Sequence, residues 1–110
     1  MGDYSQMGTD VDCYCVASVR IGAHAMVSAY AHLCAAGRDY TRRRMPLITA
    51  PIVIGEGAWV AVDAFIGLGV TIGAGAVVGA RSSVFRNVEP WTVVAGTPAR
   101  FLKARELKDA

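Results

Sequence analysis

Apolar residues return at every sixth position between residues 54 and 84. The members of this series are Ile54, Val60, Ile66, Ile72, Val78 and Val84. A second series of smaller residues lies two positions earlier in each hexad, at Ile52, Ala58, Ala64, Val70, Ala76, Ser82 and Val88. A helix requires apolar residues every three or four positions and a half-buried strand requires alternation, so neither explains this period. Six is the repeat of the hexapeptide β-helix, in which each hexad supplies one short strand and one corner.

The hexad register breaks once, between residues 35 and 46. Upstream of the break the same phase is found at Leu33, Val27, Ile21 and Cys15, and downstream it resumes at Ile48. The spacing from Leu33 to Ile48 is not a multiple of six, so residues are inserted between two stacked coils. The insert reads AAGRDYTRRRMP, which is too polar and basic for a core. It predicts a loop that projects at residues 35–46, and a loop on a rigid scaffold is a good place for function.

The repeat ends after Val88, where Glu89-Pro90-Trp91 and then Gly96-Thr97-Pro98 interrupt it. Residues 99–109 are predicted to form a short amphipathic helix with Phe101, Leu102 and Leu107 on its apolar face. Such a helix would cap the open end of the last coil. Three hexads close one triangular turn, so the pattern predicts a single all-β domain over residues 1–110, a parallel β-helix of about four coils.

The composition fits one small globular domain. The chain has 110 residues, of which 54% are hydrophobic and 18% charged, so it is too apolar to be disordered. Aromatic residues make up only 8%, which indicates a core of Ala, Val and Ile such as a narrow prism needs. The net charge of +2 is too small for a typical nucleic-acid-binding protein, so no nucleic-acid partner is expected.

The cysteines and the termini predict a reduced, soluble protein. The three cysteines, Cys13, Cys15 and Cys34, lack the spacing of a metal site, so no metal is expected. No basic segment followed by an apolar run opens the chain, and no apolar run approaches the roughly 18 residues of a membrane span. We therefore expect a cytoplasmic protein without a membrane partner.

Several stretches resemble the left-handed β-helix hexapeptide acyltransferases. They are PIVIGEGAW at residues 51–59, GVTIGAGAVVGA at 69–80, PWTVVAG at 90–96, TPAR at 97–100, and the loop sequence GRDY at 37–40. The likeness is strongest to the sugar and polysaccharide O-acetyltransferases of the galactoside, maltose, nodulation-factor and colanic-acid types, whose longer members have an additional N-terminal part. The hexads alone indicate the fold, whereas the loop and the C-terminal Gly-x-Pro-Ala-Arg stretch are more specific.

The resemblance implies a left-handed β-helix that forms a homotrimer, with active sites in the grooves between neighbouring subunits. It implies acetyl-CoA as the acyl donor and a hydroxyl-bearing small molecule, such as a sugar, as the acceptor. The family's cofactor contacts fall on Val62 and Ala80 for the pantetheine, and on Phe85, Arg86, Arg100 and Lys103 for the phosphates and adenine. Cations recognise phosphate by charge and hydrogen bonding, although a solvated basic surface is the alternative for any one of them.

The resemblance also implies a catalytic histidine in the loop, which removes the proton of the attacking hydroxyl. Here the loop reads Gly37-Arg38-Asp39-Tyr40, so Arg38 occupies the histidine position. Arginine keeps its proton in proteins and cannot act as a general base, and losing such a base costs about 10²–10⁴-fold in rate. An arginine there can still stabilise a developing oxyanion or hold an anionic substrate.

Other residues are candidates around that loop. His32 precedes the inward Leu33, so it is expected to point outward near the root of the loop, where it is a candidate substitute base. His24 falls at a corner and Cys34 is expected to pack rather than react. The resemblance places the acceptor side at Asp39, Tyr40, Trp59 and Cys15, the last at a position where relatives often have asparagine. Trp59 is equally well explained as a corner packing residue.

Three functions therefore remain open. The first is an acetyl-CoA-dependent O-acetyltransferase, with activity weakened because Arg38 replaces the histidine. The second is a CoA-binding protein that has the fold, the trimer and the groove but no catalysis. The third is a purely structural trimeric β-helix. The basic residues assigned to the groove favour the first two, and Arg38 favours the second over the first.

Overall fold

The strands of the protein stack as the coils of a triangular prism. The computed structural model describes Gly2 and residues 5–8, 11–14 and 18–108. The first coil contains β1 (Gln6–Met7), β2 (Asp12–Tyr14) and β3 (Val19–Ile21); the second contains β4 (Met26–Val27), β5 (His32–Cys34), the inserted β6 (Ala36–Arg38) and β7 (Leu47–Thr49), and β8 (Ile52–Ile54). The third contains β9 (Trp59–Val60), β10 (Phe65–Ile66) and β11 (Thr71–Ile72); the fourth contains β12 (Val77–Val78) and β13 (Ser83–Val84), and β14 (Thr92–Ala95) and β15 (Arg100–Ala104) follow.

The strands of successive coils stack into three parallel sheets, one on each face of the prism. The first face contains β1, β4, β9, β12 and β14, the second contains β2, β5, β10 and β13, and the third contains β3, β8 and β11. A bridge from Ile72 to Val88 extends the third face into the last coil. The register pairs Val60 with Val78, which lies three hexads further along the chain, so three hexads complete one turn as the period predicts. The protein is a left-handed parallel β-helix of four coils, and the predicted fold class is confirmed.

Both hexad series point into the prism. Leu33, Ile66 and Val84 lie one above another on the second face, each no more than 1% exposed. The smaller series fills the space beside them, and Ala58, Ala64 and Ala76 are buried equally well. Because three strands surround so narrow an interior, Ala, Val and Ile fill it without aromatic residues. Ile48 does not belong to this core, contrary to the prediction, because it lies in the inserted β7 and is 41% exposed.

The corners explain part of the glycine content. His24 lies at a corner with a left-handed φ of 59°, as its position in the hexad predicts. Gly75 occupies the equivalent position with φ of 70°, and a Cβ there would lie 2.5 Å from the Trp91 ring of the next coil. Gly73 is needed for a different reason, since an added Cβ would lie 2.4 Å from the backbone nitrogen of Pro90. Conformation and close approach between coils thus both require glycine.

The predicted projecting loop is present and takes the form of a β-hairpin. β6 and β7 pair antiparallel, with Ala36 opposite Thr49 and Arg38 opposite Leu47. Ala36 is still buried, so the projection begins at the next residue and extends over almost entirely exposed positions. The hairpin leaves the prism at the corner between the second and third faces, since β5 precedes it and β8 follows it.

The predicted C-terminal helix over residues 99–109 is wrong. This segment forms β15, which pairs antiparallel with β14 and places Ala104 opposite Thr92 and Arg100 opposite Ala95. The last strand of the first face presents unpaired N–H and C=O groups, and pairing with them outweighs a weak helical period. Phe101 and Leu102, assigned to the apolar face of the helix, are both exposed. Within the described residues, no helix is long and apolar enough to cross a membrane.

Candidate active site

Two of the predicted cofactor residues lie on one corner of the prism. Val62 and Ala80 are in successive coils at the corner between the first and second faces. The carbonyl of Val62 accepts a hydrogen bond of 2.9 Å from the N–H of Arg81, which joins the two turns. The turn after β14 continues this corner, because the N–H of Ser83 donates to the carbonyl of Gly96 at 3.0 Å. A continuous edge of small residues and backbone groups therefore runs towards the C-terminal coil.

Three further predicted residues line one cavity at the open end of the last coil. Phe85, Arg86 and Arg100 surround a volume of about 490 Å³. Val88 and Val94, from the end of the apolar core, also line it. A cavity lined by both guanidinium groups and apolar side chains suits a ligand that has anionic and apolar parts. Lys103 does not line this cavity, since it lies on β15 opposite Val93 and borders a separate depression.

The hairpin turn is organised by Asp39. Its carboxylate accepts hydrogen bonds from the N–H and the hydroxyl of Thr41 and pairs with Nε of Arg42 at 3.4 Å. The hydroxyl of Thr41, followed by its N–H, holds the pKa of Asp39 below the ordinary value. Arg38 Nη1 donates across the turn to the carbonyl of Met45 at 3.4 Å, whereas Tyr40 is 86% exposed. The carboxylate predicted for the acceptor side therefore has a clear part in shaping the hairpin.

A row of rings joins the root of the hairpin to the cavity. His32 lies on β5 directly before β6, half-buried, while its neighbour Leu33 points inward. Its ring centroid is 5.4 Å from that of Phe65, which in turn is 6.0 Å from that of Phe85. Sequence reasoning missed Phe65, although its position before the inward Ile66 is the equivalent of His32 before Leu33. The second face thus presents a continuous aromatic surface between hairpin and cavity.

Trp59 lies on a different face from the hairpin. It is on β9 of the first face, beside Met26, and its Nε1–H donates to Ser28 Oγ at 2.8 Å. Its side chain remains 43% exposed. One chain therefore does not bring Trp59 together with Arg38. Cys15, the other acceptor-side residue away from the loop, lies outside the described residues.

Cys34 lies at the end of β5, next to the hairpin. The thiol of Cys34 donates to the carbonyl of Ala36 at 3.2 Å, so it packs at the base of the hairpin. Over the described parts of the chain, no group of three or more His, Cys, Asp or Glu side chains is placed to hold a metal ion.

Arg105 was not singled out from the sequence, yet it joins three coils. Its Nη1 donates to the carbonyls of Gly57 at 3.0 Å and Gly75 at 2.9 Å. Its guanidinium carbon lies 5.6 Å from the centroid of the Trp91 ring. These contacts fasten the segment after β15 to the corner between the third and first faces. A lone arginine after the repeat gave no signal in the hexad pattern.

Comparisons with known proteins agree with this arrangement. No protein-family model matches the chain. The chain is 43% identical over 105 residues to the putative colanic acid biosynthesis acetyltransferase WcaF of Escherichia coli (strain K12), and the match covers 96% of this chain and 58% of that protein. Among solved structures, it is 35% identical to a hexapeptide-repeat-containing acetyltransferase from Vibrio cholerae, with a TM-score of 0.83 over 96% of this chain and 62% of the other.

A galactoside acetyltransferase in complex with coenzyme A is also similar, with 25% identity and a TM-score of 0.79 over 91% of this chain and 55% of that one. The hexad prism and its inserted hairpin define a hexapeptide-repeat β-helical protein. The chain belongs to the hexapeptide-repeat acyltransferase family, and its likeness includes the O-acetyltransferases of sugars. It spans less than two thirds of the length of these relatives.

Proposed function

We propose that this chain is the β-helical part of an acetyl-CoA-dependent O-acetyltransferase acting on a sugar or a similar small hydroxyl compound. The observation that carries the proposal is the aromatic row on the second face, which runs from His32 at the hairpin root to Phe85 at the cavity. It connects a loop suited to the acceptor with a cavity suited to an anionic cofactor. The 43% identity to a putative acetyltransferase and the likeness to a CoA-bound galactoside acetyltransferase support it.

The residues at the C-terminal end fit coenzyme A. Arg86 and Arg100 supply positive charge for its phosphates, and Phe85 supplies an apolar surface beside them. The backbone at Val62 and Ala80 offers an exposed edge for the pantetheine. When bound, acetyl-CoA supplies an activated acetyl thioester. The protein's part is to orient that donor along the groove and to keep the acceptor hydroxyl beside it.

We also infer that the working site lies between copies of the chain in a homotrimer. The exposed Met26 and Trp59 form an apolar strip on the first face, while the hairpin leaves from the opposite corner. Side-by-side packing of prisms would cover that strip. It would also bring the Trp59 of one copy to the hairpin of its neighbour, which a single chain does not do.

Arg38 governs how the acceptor proton is handled. A guanidinium donates hydrogen bonds and does not accept a proton, so Arg38 supplies positive charge and hydrogen-bond donors at the acceptor but not a general base. Histidine is the side chain suited to proton transfer near neutral pH, and His32 is the histidine at the hairpin root. The basal reaction is therefore slow and uses His32 or water to take the proton.

Calorimetric titration with CoA, followed by measurement of thiol release from acetyl-CoA over a panel of sugars, tests the proposal. We expect binding that weakens in an Arg86→Gln/Arg100→Gln double variant. The matched control is Arg20→Gln, which removes an exposed cation from the third face and should leave CoA binding unchanged. Absence of CoA binding would contradict the proposal. Binding without turnover on every acceptor would instead identify a non-catalytic CoA-binding protein.

A further inference from the structure

The basic excess of the chain lies entirely in the hairpin. Residues 38–46 contain four of the eleven Lys and Arg residues and one of the nine Asp and Glu residues. This segment therefore has a net charge of +3, whereas the seven cations and eight carboxylates of the remaining chain give −1. A charge asymmetry of this kind, confined to one projection, indicates a local anionic partner.

Most of these cations have no ion-pair partner within the hairpin. Asp39 neutralises Arg42 through their contact of 3.4 Å. In the part of the chain that the structure describes, Arg38, Arg43 and Arg44 have no carboxylate within 4 Å, and all three are exposed. We call these three residues the arginine cluster.

The turn is held without the arginine cluster. The N–H of Asp39 donates to the carbonyl of Pro46 at 3.0 Å, and the N–H of Met45 donates to the carbonyl of Arg42 at 3.0 Å. No hydrogen bond of the Arg43 or Arg44 side chain is present among the described residues, and Arg38 makes only its long contact to Met45. Three exposed guanidinium groups repel one another, and no contact in the described turn requires Arg43 or Arg44, so the folding of the turn does not account for them.

We propose that the arginine cluster binds an oxyanion, a phosphate or a carboxylate, on the acceptor molecule. The proposal rests on the proposed function, because that function places the acceptor hydroxyl at Arg38. The planar guanidinium fork matches the geometry of both oxyanions. The phosphates of the donor have their own cations, Arg86 and Arg100, at the last coil, two coils from the hairpin. The cluster is thus a second anion site, on the acceptor side.

A membrane surface is the competing partner for a basic projection. Clusters that bind anionic lipid usually contain four to eight cations, and the hairpin leaves only three unpaired. The cluster also includes Arg38 itself, at the position where the family's catalytic histidine acts. The acceptor is therefore favoured over a lipid headgroup.

Titration of hairpin NMR signals tests the proposal without requiring turnover. The 110-residue chain, with and without CoA, is titrated with glucose, glucose 1-phosphate and glucuronate, and the arginine Nε–H signals are followed. We expect saturable shifts with one or both anions, none with glucose, and a loss of affinity of about tenfold in Arg43→Gln/Arg44→Gln. The two anions distinguish phosphate from carboxylate. Raised salt should weaken this binding because the cluster is exposed.

Acetyl transfer supplies the second readout. The anionic acceptor should have a KM about tenfold below that of glucose, and the Arg43→Gln/Arg44→Gln variant should abolish the difference without changing CoA affinity. Arg20→Gln/Lys108→Gln removes the same charge from outside the hairpin and should preserve it. Circular dichroism of both variants checks that the fold is kept.

The two proposals fail in different ways. CoA binding with no response of the hairpin to either anion would overturn the arginine cluster as an acceptor site and leave the proposed function intact. A hairpin that binds anions in a chain that does not bind CoA would overturn the acceptor assignment together with the proposed function. A third outcome would assign the cluster to a membrane surface instead. In that case the protein would sediment with phosphatidylglycerol vesicles but not with phosphatidylcholine vesicles, and Arg43→Gln/Arg44→Gln would abolish the sedimentation. The hairpin would also fail to bind the soluble anions.

Discussion

The prism and the hairpin follow opposite rules. In the prism, one pattern of small apolar residues repeats from coil to coil, and its members are almost fully buried. In the hairpin, residues 38–48 contribute nothing to that core, and all but Asp39 are exposed, the basic residues as well as the apolar Met45, Leu47 and Ile48. The repeat can extend because each coil reproduces the edge it was built on. The hairpin can vary because little packs against it.

Because the two regions differ in this way, stability is expected to depend on the prism, and binding and catalysis on the hairpin. The hairpin is joined to the coils through a short root, where the N–H of Ala50 donates to the carbonyl of Ala35 at 3.1 Å. Beyond the root, its turn is fixed by its own hydrogen bonds. Substitutions in the turn should therefore change binding or rate with little effect on unfolding. Substitutions in the prism should do the reverse.

Arg38→His should produce the largest effect, an increase in the rate of acetyl transfer with almost no change in stability. A histidine in the hairpin would provide a general base where arginine cannot, which is worth about 10²–10⁴-fold. The measurement is kcat for thiol release from acetyl-CoA with an accepted sugar. The free energy of unfolding should change by less than about 0.5 kcal/mol because the position is exposed.

Two further variants make that result specific. Arg38→Lys keeps the charge and should not raise the rate, since a lysine beside solvent also stays protonated. His32→Ala should lower the basal rate of the natural sequence but have little effect once Arg38→His is present. A rate that is unchanged by Arg38→His and abolished by His32→Ala would show that the base lies on the second face rather than in the hairpin.

Ile66→Ala and Ile48→Ala form a matched pair across the two regions. Ile66 is 0% exposed in the prism, so its truncation should cost about 3 kcal/mol of unfolding free energy through lost burial and the cavity left behind. Ile48 is 41% exposed on the hairpin, and the same change there should cost less than about 1 kcal/mol. Urea unfolding measures both. Equal costs would mean that the hairpin belongs to the cooperative core.

The prism could be predicted because its cause is local and repeated. Each hexad has an inward aliphatic residue and a corner at the same positions. The period of six therefore predicted the strands, the number of coils and the place of the insertion. Ile48 was wrongly assigned to the core because it precedes Ile54 by the spacing of the repeat, although it lies in β7. The C-terminal helix was wrongly predicted because the pairing of this segment with β14 depends on a free strand edge and not on the segment's own pattern.

The site was harder to predict because it depends on which faces the residues reach. The sequence identified the hairpin, Arg38 and the outward position of His32, but not that Phe65 connects His32 with Phe85. Placing Trp59 on another face required knowing which hexads share a sheet across the insertion. The roles of Val62, Ala80 and the cations remain predictions for the CoA titration to test.

Arg105 offers a way to loosen the prism without touching its core. Arg105→Met should cost about 2 kcal/mol, because it leaves the carbonyls of Gly57 and Gly75 without their donor and removes the cation from the Trp91 ring. Arg105→Lys keeps a charge but not the planar fork, so it should recover only part of that loss. Urea unfolding and Trp91 fluorescence measure the two variants. Unchanged stability in Arg105→Met would show that water replaces these contacts fully.

Asp39 should give the smallest effect, confined to the hairpin turn. Its pKa is depressed by the Thr41 hydroxyl and N–H, so the folded turn prefers the carboxylate. The stabilisation is therefore complete above the unfolded pKa of about 3.9 and is lost as the pH falls through the lower folded value. The Thr41 amide signal should follow this titration by NMR, while signals of the prism stay constant. Asp39→Asn keeps an acceptor oxygen and should remove the titration without opening the turn. If the Thr41 signal still titrates in Asp39→Asn, the pH dependence belongs to another group. If the prism signals change together with that of Thr41, the hairpin and the prism are coupled.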